Sequence, residues 1–287
     1  MRPPWSGRDS RSAFALPELL IALAITLGIS AVVFHLFHQS ERAFRDQAII
    51  TEMQQTARLL ISQIVDDIRI AGQGIPPGLS DVILPGSNAS RLNIRANWTG
   101  SESISTSALP VWLTLGSPVT LPVETTLGFS ANRQIFVFSG MDWARGTINS
   151  VSGAAKTVRL TPTALSKPGL SFSMPDAPIL STDEAVSIYR DVALQVVRRT
   201  TSTNTENAAA PVWAPANELA TNITELNFQY FDRSGMQVAV DDSVTRAQVA
   251  GIEVRITTQT PTSLSDGSRP NYSLRMRTSA RNLEFRW

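Results

Sequence analysis

Cysteine is absent from the 287-residue chain, which removes disulfides, thiolate metal sites and cysteine nucleophiles together. Its absence does not identify a compartment, because an exported protein can fold without such staples. Histidine is almost as scarce. His35 and His38 are the only two, and both lie at the end of an apolar run near the N-terminus. A Ser-His-Asp triad or a histidine-ligated zinc site in the C-terminal portion is therefore excluded. Charge of one sign is lacking too: 25 Lys+Arg against 24 Asp+Glu leave a net +1, so no strong field draws the chain as a whole toward nucleic acid or acidic partners. There is no P-loop, since Gly153-Ala154-Ala155-Lys156-Thr157 lacks the upstream glycine and the adjacent Gly-Lys pair. Nothing nominates a pair of carboxylates for glycoside hydrolysis. The length allows one large domain or two ordinary ones.

What is present begins with Phe14 to Phe37, FALPELLIALAITLGISAVVFHLF, a nearly unbroken apolar run. A bilayer span needs roughly 20 predominantly apolar residues, and this run has that length with one carboxylate, Glu18, near its start. Residues 1–13 carry Arg2, Arg8 and Arg11 against Asp9, a positive flank of the kind retained in the cytoplasm. Arg42 and Arg45 come after the run, so the asymmetry is modest. A secretory signal peptide would have a shorter apolar core ending at a small-residue cleavage site, whereas here the helical pattern continues. A charge at the centre of a span costs about 2.5–3.5 kcal/mol, less near an end. Glu18 reads either as an interfacial glutamate or as a carboxylate awaiting a cation from another chain. Pro17 is harmless within the first turn of a helix, where N–H groups have no internal acceptor; a helix starting at Phe14 puts it fourth.

From Ser40 to Ala71 apolar residues fall at Ile49 or Ile50, Met53, Ala57, Leu60, Ile64, Ile68 and Ala71, three- and four-residue steps that draw one helical stripe. Gly72-Gln73-Gly74 and Pro76-Pro77 then form a stop signal. A single helix over Phe14 to Ala71 is about 85 Å long, so its second half projects beyond a bilayer, and its stripe is expected to pack on the protein's own sheet. Gly28 and Ser30 are small residues of the kind found at close helix contacts. His35 and His38, at i and i+3, read as interfacial rather than as a metal pair.

After Gly78 the period changes from 3.6 to 2. Expected strands are Gln134 to Ser139, Thr147 to Val151, Thr157 to Leu160, Ala185 to Tyr189, Ala193 to Arg198, Ile223 to Phe231, Met236 to Val240, Val249 to Thr258 and Tyr272 to Thr278. Asp232-Arg233-Ser234-Gly235 has turn chemistry, with Met236 to Val240 as the returning partner. Gly100 to Ser130 and Thr200 to Asn217, rich in serine and threonine, read as loops or insertions. A separate unit between about residues 85 and 180 stays open, with no linker to mark it. Asp241-Asp242 reads as a solvated turn before a calcium site. Arg275 and Arg277 share one strand face and, with Arg269, Arg281 and Arg286, suggest a basic patch whose plainest role is a charged, protected sheet edge.

Ala13-Phe14-Ala15-Leu16-Pro17-Glu18-Leu19-Leu20 resembles the processing and methylation motif of type IV prepilins, in which glycine precedes the cut, phenylalanine comes after it and glutamate is fifth in the mature chain. Here Ala13 stands in the glycine position. Three further segments are similar to minor pilins of the PilW type. They are Leu219 to Ile223 running into Phe228-Gln229-Tyr230-Phe231-Asp232, Val249 to Ile256, and Arg277 to Leu283; Asp67-Ile68-Arg69-Ile70-Ala71-Gly72 leans the same way. The resemblance implies cleavage between Ala13 and Phe14 by prepilin peptidase, N-methylation of Phe14, and a bond from Glu18 to a neighbouring subunit's N-terminal amine. It implies other minor pilins and the major pilin as partners, with the inner membrane and then the pilus as location, the head in the periplasm, no enzymatic activity and no cofactor. J-type minor pseudopilins of type II secretion share the layout, and a bitopic protein with a ligand-binding or enzymatic head is the alternative of another class. The expected fold is α+β: leader 1–13, helical stem 14–71 with its transmembrane half at 14–37, linker 72–84, and an antiparallel β-rich head over 85–287.

Overall fold

A computed structural model describes residues 16–77, 79, 82–108, 110–173, 176–205 and 211–280. Its first element is a single helix, α1 (Leu16–Ile70), of 55 residues, about 82 Å long at 1.5 Å per residue. With no proline after Pro17, the i→i−4 ladder runs uninterrupted to Ile70. It stops where Gly72 takes a positive φ of 82°, the left-handed conformation that glycine adopts without steric cost. The Gly72 N–H turns instead to the carbonyl of Arg95 at 2.8 Å. Glycine is also required at Gly74 (φ 70°), where a Cβ would sit 2.1 Å from the Ser181 hydroxyl.

The stripe read from the sequence packs from Met53 onward, with Ile49 and Ile50 at its start only half-buried. Met53, Ala57, Leu60, Ile64, Ile68 and Ala71 are buried, joined by Ile61 and Val65. Each fully buried Ile or Leu favours the packed state by about 2 kcal/mol relative to exposure. The stripe lies chiefly on the last two strands of a sheet ordered β14 (Gln237–Val238), β13 (Ile223–Phe231), β15 (Gly251–Gln259), β16 (Asn271–Thr278). Leu226, Phe228 and Tyr230 on β13, and Ile252, Val254 and Ile256 on β15, form its inner face. A second antiparallel sheet completes this core, in the order β1 (Arg91–Ala96), β10 (Glu184–Asp191), β11 (Val196–Ser202), β12 (Asn217–Ala220). The fold is α+β, as expected.

Strands β1 and β10 pair directly in that sheet, although residues 97–183 separate them in the chain, and this intervening segment builds something of its own. β2 (Glu102–Ile104), β9 (Ile179–Thr182), β5 (Gln134–Ser139), β6 (Asp142–Ser152), β7 (Thr157–Leu165) and β4 (Val119–Pro122) pair in that order. The two outer strands then meet, through the Ser105–Val123 bridge and the bonds from Thr106 N–H to Pro122 O and Glu124 N–H to Ile104 O. The sheet is thus closed into a small barrel, with a ribbon of β3 (Val111–Trp112) and β8 (Ser171–Phe172) beside it. Closure removes free strand edges. Its interior, including Leu121, Ile135, Val137, Ile148, Val158, Leu160 and Leu180, is a second core distinct from the helix core.

The barrel joins the rest through a buried polar cluster. The Asp183 carboxylate, fully buried, lies 2.9 Å from Nε of Arg95 and 2.9 Å from Nε of Arg145. Glu184 accepts from Arg133 at 3.1 Å and from the Thr99 N–H and hydroxyl, each at 2.9 Å. Charges so buried persist only when paired.

Several strand expectations need correction. Gly100 to Ser130 contains β2, β3 and β4 rather than only loops. In β2 the inward residue is Ser103 and the outward one Ile104, so alternation points the wrong way. Thr200 and Ser202 are buried likewise, which hides the end of β11 inside the Thr200 to Asn217 stretch. The strand expected over Ala193 to Arg198 starts at Val196, because Gln195 turns the chain with φ 53°. The return strand after Asp232 is two residues long instead of five.

Candidate functional site

Ala13 and Phe14, the expected processing residues, lie outside the described residues, as do Arg281 and Arg286. Glu18 lies in the first turn of the described helix, where exposed N–H groups and the helix dipole favour a carboxylate. Around it, no residue from Leu16 to Arg45 is buried. Leu19, Ile21, Leu23, Ile25, Leu27, Ile29, Val32, Phe34 and Phe37 are all more than half exposed. Among the described residues α1 is the one helix long and apolar enough to cross a membrane, and its apolar window is 0% buried. Helix geometry continues through Gly28, whose surroundings are open. His38 reaches Glu41 at 3.7 Å on the exposed surface.

The head grips the helix from Asp46 onward. The Asp46 carboxylate accepts the Ser265 N–H at 3.1 Å and bonds its hydroxyl, tying the β15–β16 loop to the stem. Near the other end Arg199 on β11 holds Asp67 through two parallel bonds, Nε to Oδ2 at 2.8 Å and Nη2 to Oδ1 at 3.1 Å. Paired guanidinium and carboxylate forks combine strength with a fixed orientation. The pair locks α1 in rotation and height against the sheet. Asp67 was legible as an anomaly: it comes after Leu60 and Ile64 in the buried stripe, where a carboxylate needs a partner. Which arginine supplies that partner is a tertiary fact.

The basic patch resolves into two hollows. Arg275 borders one with Glu225 and Arg255. Arg277 borders a larger cleft of about 660 Å³ with Arg69, Asp232, Arg233, Gly251 and Ser279. The Arg277 guanidinium stacks 3.9 Å above the Phe231 ring. Asp232, the acidic residue of that lining, is engaged locally, its Oδ1 accepting the Ser234 hydroxyl at 2.7 Å and the Met236 N–H at 2.9 Å. Those bonds hold its pKa below the usual carboxylate range. Asp242 likewise caps α2 (Ser243–Gln248), accepting the Val244 and Thr245 N–H groups at 2.8 Å. The bond from the Thr245 N–H is the main cause of its lowered pKa. Its carboxylate thus has a structural job in the Asp241-Asp242 turn.

Neither a protein-family model, nor a curated protein, nor a solved structure matches the chain. Among the described residues no three His, Cys, Asp or Glu side chains gather as a metal site. The arrangement suits anchoring and contact: an apolar helix outside the head, a carboxylate near its start, and a rigid joint to the sheet.

Proposed function

We propose that this chain is a membrane-anchored, non-enzymatic assembly subunit, a PilW-type minor pilin that helps initiate or cap a type IV pilus after prepilin peptidase processing. One observation carries the reading. A single helix is apolar with no buried residue in its first half, with Glu18 at the start, and clamped to a β-rich head in its second. In the membrane the first half is solvated by lipid. On assembly it enters a bundle of like helices, where Glu18 finds a cation and sets register, while the head contacts other minor pilins and the major pilin. The head occupies the periplasm and then the cell surface, and no cofactor enters this role.

Mass spectrometry of the membrane-extracted protein is expected to find methylated Phe14 at the N-terminus; an intact Met1 end sinks the processing step. Glu18→Ala is expected to stop incorporation while leaving the protein inserted in the membrane. Loss of surface filaments on deletion supports the pilus, whereas retained filaments with blocked exoprotein release assign the chain to type II secretion. The inserted barrel favours a second reading, a bitopic binding module, which expects Glu18→Ala to leave function intact.

A further inference from the structure

The cleft at the head end of the stem has a composition that the anchoring role does not use. Arg69 comes from the last turn of α1, Arg233 from the turn after β13, and Arg277 from the end of β16, so three separate elements bring guanidinium groups to one hollow. Arg277 is held in place by Phe231, and Gly251 offers no side chain of its own between them. A Cβ there would lie 3.6 Å from the Arg277 Nε, so the arginine stem crosses the strand where it is narrowest. A cation lying on a ring keeps its charge and its N–H donors while losing freedom, which favours a planar anion partner. The Arg69 partner, Asp66, sits at 3.3 Å on the open surface, with both side chains more than 60% exposed. Such a pair contributes little and exchanges readily.

We propose that this cleft is a docking site for a carboxylate-bearing, acidic segment of another protein chain. Position selects that source. Arg69 lies 32 residues along α1 from Phe37, about 48 Å at 1.5 Å per residue, beyond the reach of lipid headgroups at the end of the apolar run. The cleft lies beside β16, an outer strand of its sheet. On the subunit reading the segment belongs to a neighbouring head, but binding of the segment itself does not depend on that reading.

The test uses the full chain in detergent micelles. The probes are a capped hexaglutamate peptide, inorganic phosphate and capped hexalysine, each measured by isothermal titration at two salt concentrations. Saturable hexaglutamate binding is expected, weakening as salt rises, with no binding of hexalysine. Arg69→Gln/Arg277→Gln is expected to lower the affinity at least tenfold, the size of one lost charge-assisted bond. The paired control Arg159→Gln/Arg275→Gln, which removes the same charge elsewhere, is expected to change it less than twofold. Absence of saturable binding, or an equal loss in the control, overturns the site. Phosphate binding as tightly as the peptide reassigns it to small anions and overturns the docking role. Because Glu18 is outside this site, a Glu18→Ala protein that still assembles defeats the subunit reading while leaving the peptide titration unchanged.

Discussion

Between Leu16 and Arg45 no side chain of α1 is buried, whereas from Met53 to Ile68 a continuous stripe lies against the head. Both stretches are regular helix, and both are rich in Leu, Ile and Val. The difference lies in distribution. In the second half apolar residues other than the exposed Leu59 occupy one side, with Glu52, Arg58, Asp66 and Arg69 on the others, and a sheet of matching shape meets them. In the first half they go all round, so no single protein surface of this chain can cover them. A helix apolar on every side is stable in lipid or inside a bundle, and a patch of this extent marks an interaction surface. Helix geometry is therefore shared, while the solvent of each half is dictated by where its apolar side chains point.

The strongest way to break the contrast is to open the packed half. Ile64→Ala, at a fully buried position, is expected to cost about 2–5 kcal/mol in denaturant unfolding of the head. Ile25→Ala, in the exposed half, is expected to leave that unfolding unchanged. If both changed it equally, the two halves would not be energetically separate. Next in size is the clamp. Asp67→Ala leaves Arg199 without its carboxylate and is expected to cost about 2–3 kcal/mol, read as a lower midpoint and as faster amide exchange in the last turns of α1.

A smaller effect belongs to the core beneath the packed half. The Tyr230 hydroxyl donates to the Asn88 carbonyl at 3.0 Å, and burial raises its pKa well above the ordinary tyrosine value, outweighing the opposing Ser87 hydrogen bond. The neutral form is favoured in the fold. This contribution is therefore fully present below the unfolded value, about 10, and is lost as pH rises through the higher folded value. Tyr230→Phe is expected to cost about 1 kcal/mol at neutral pH and to flatten the alkaline fall in thermal stability. The smallest effect is at Asp242, whose folded pKa is lowered by its N-cap bonds. Its contribution is present above the unfolded carboxylate value and lost as pH falls through the folded one. Asp242→Ala is expected to lower thermal stability slightly at neutral pH and to remove that acid-side slope.

Much of the stem was readable in the chain because helical periodicity reports burial directly when one face is apolar. Met53, Ala57, Leu60, Ile64 and Ile68 lie where the spacing put them. Strands β5 and β13 carry their expected limits: β13 alternates with its apolar residues facing the core, and β5 is a continuous apolar run buried on both faces between the two cores. Ser103, Thr200 and Ser202 defeat the same logic. Small hydroxyl side chains face inward there and find backbone partners, Ser202 the Asn204 carbonyl at 2.9 Å, Thr200 the Ala214 carbonyl and Ser103 the Thr125 N–H, so polarity no longer signals exposure. Arg95 is a stronger case, an arginine 1% exposed whose burial depends on Asp183, far away in the chain.

By itself the sequence determined the long helix, the change of environment along it, the place of Glu18 and the β-rich character of the head. Each of these depends on local periodicity or on the composition of a continuous run. Only the tertiary structure decided that the segment between β1 and β10 closes into a barrel, that Arg199 answers Asp67, and that Arg69 and Arg277 border the same cleft. Those are pairings between residues far apart in the chain. Their free energy comes from geometry that forms only when both partners arrive, and no local pattern encodes it.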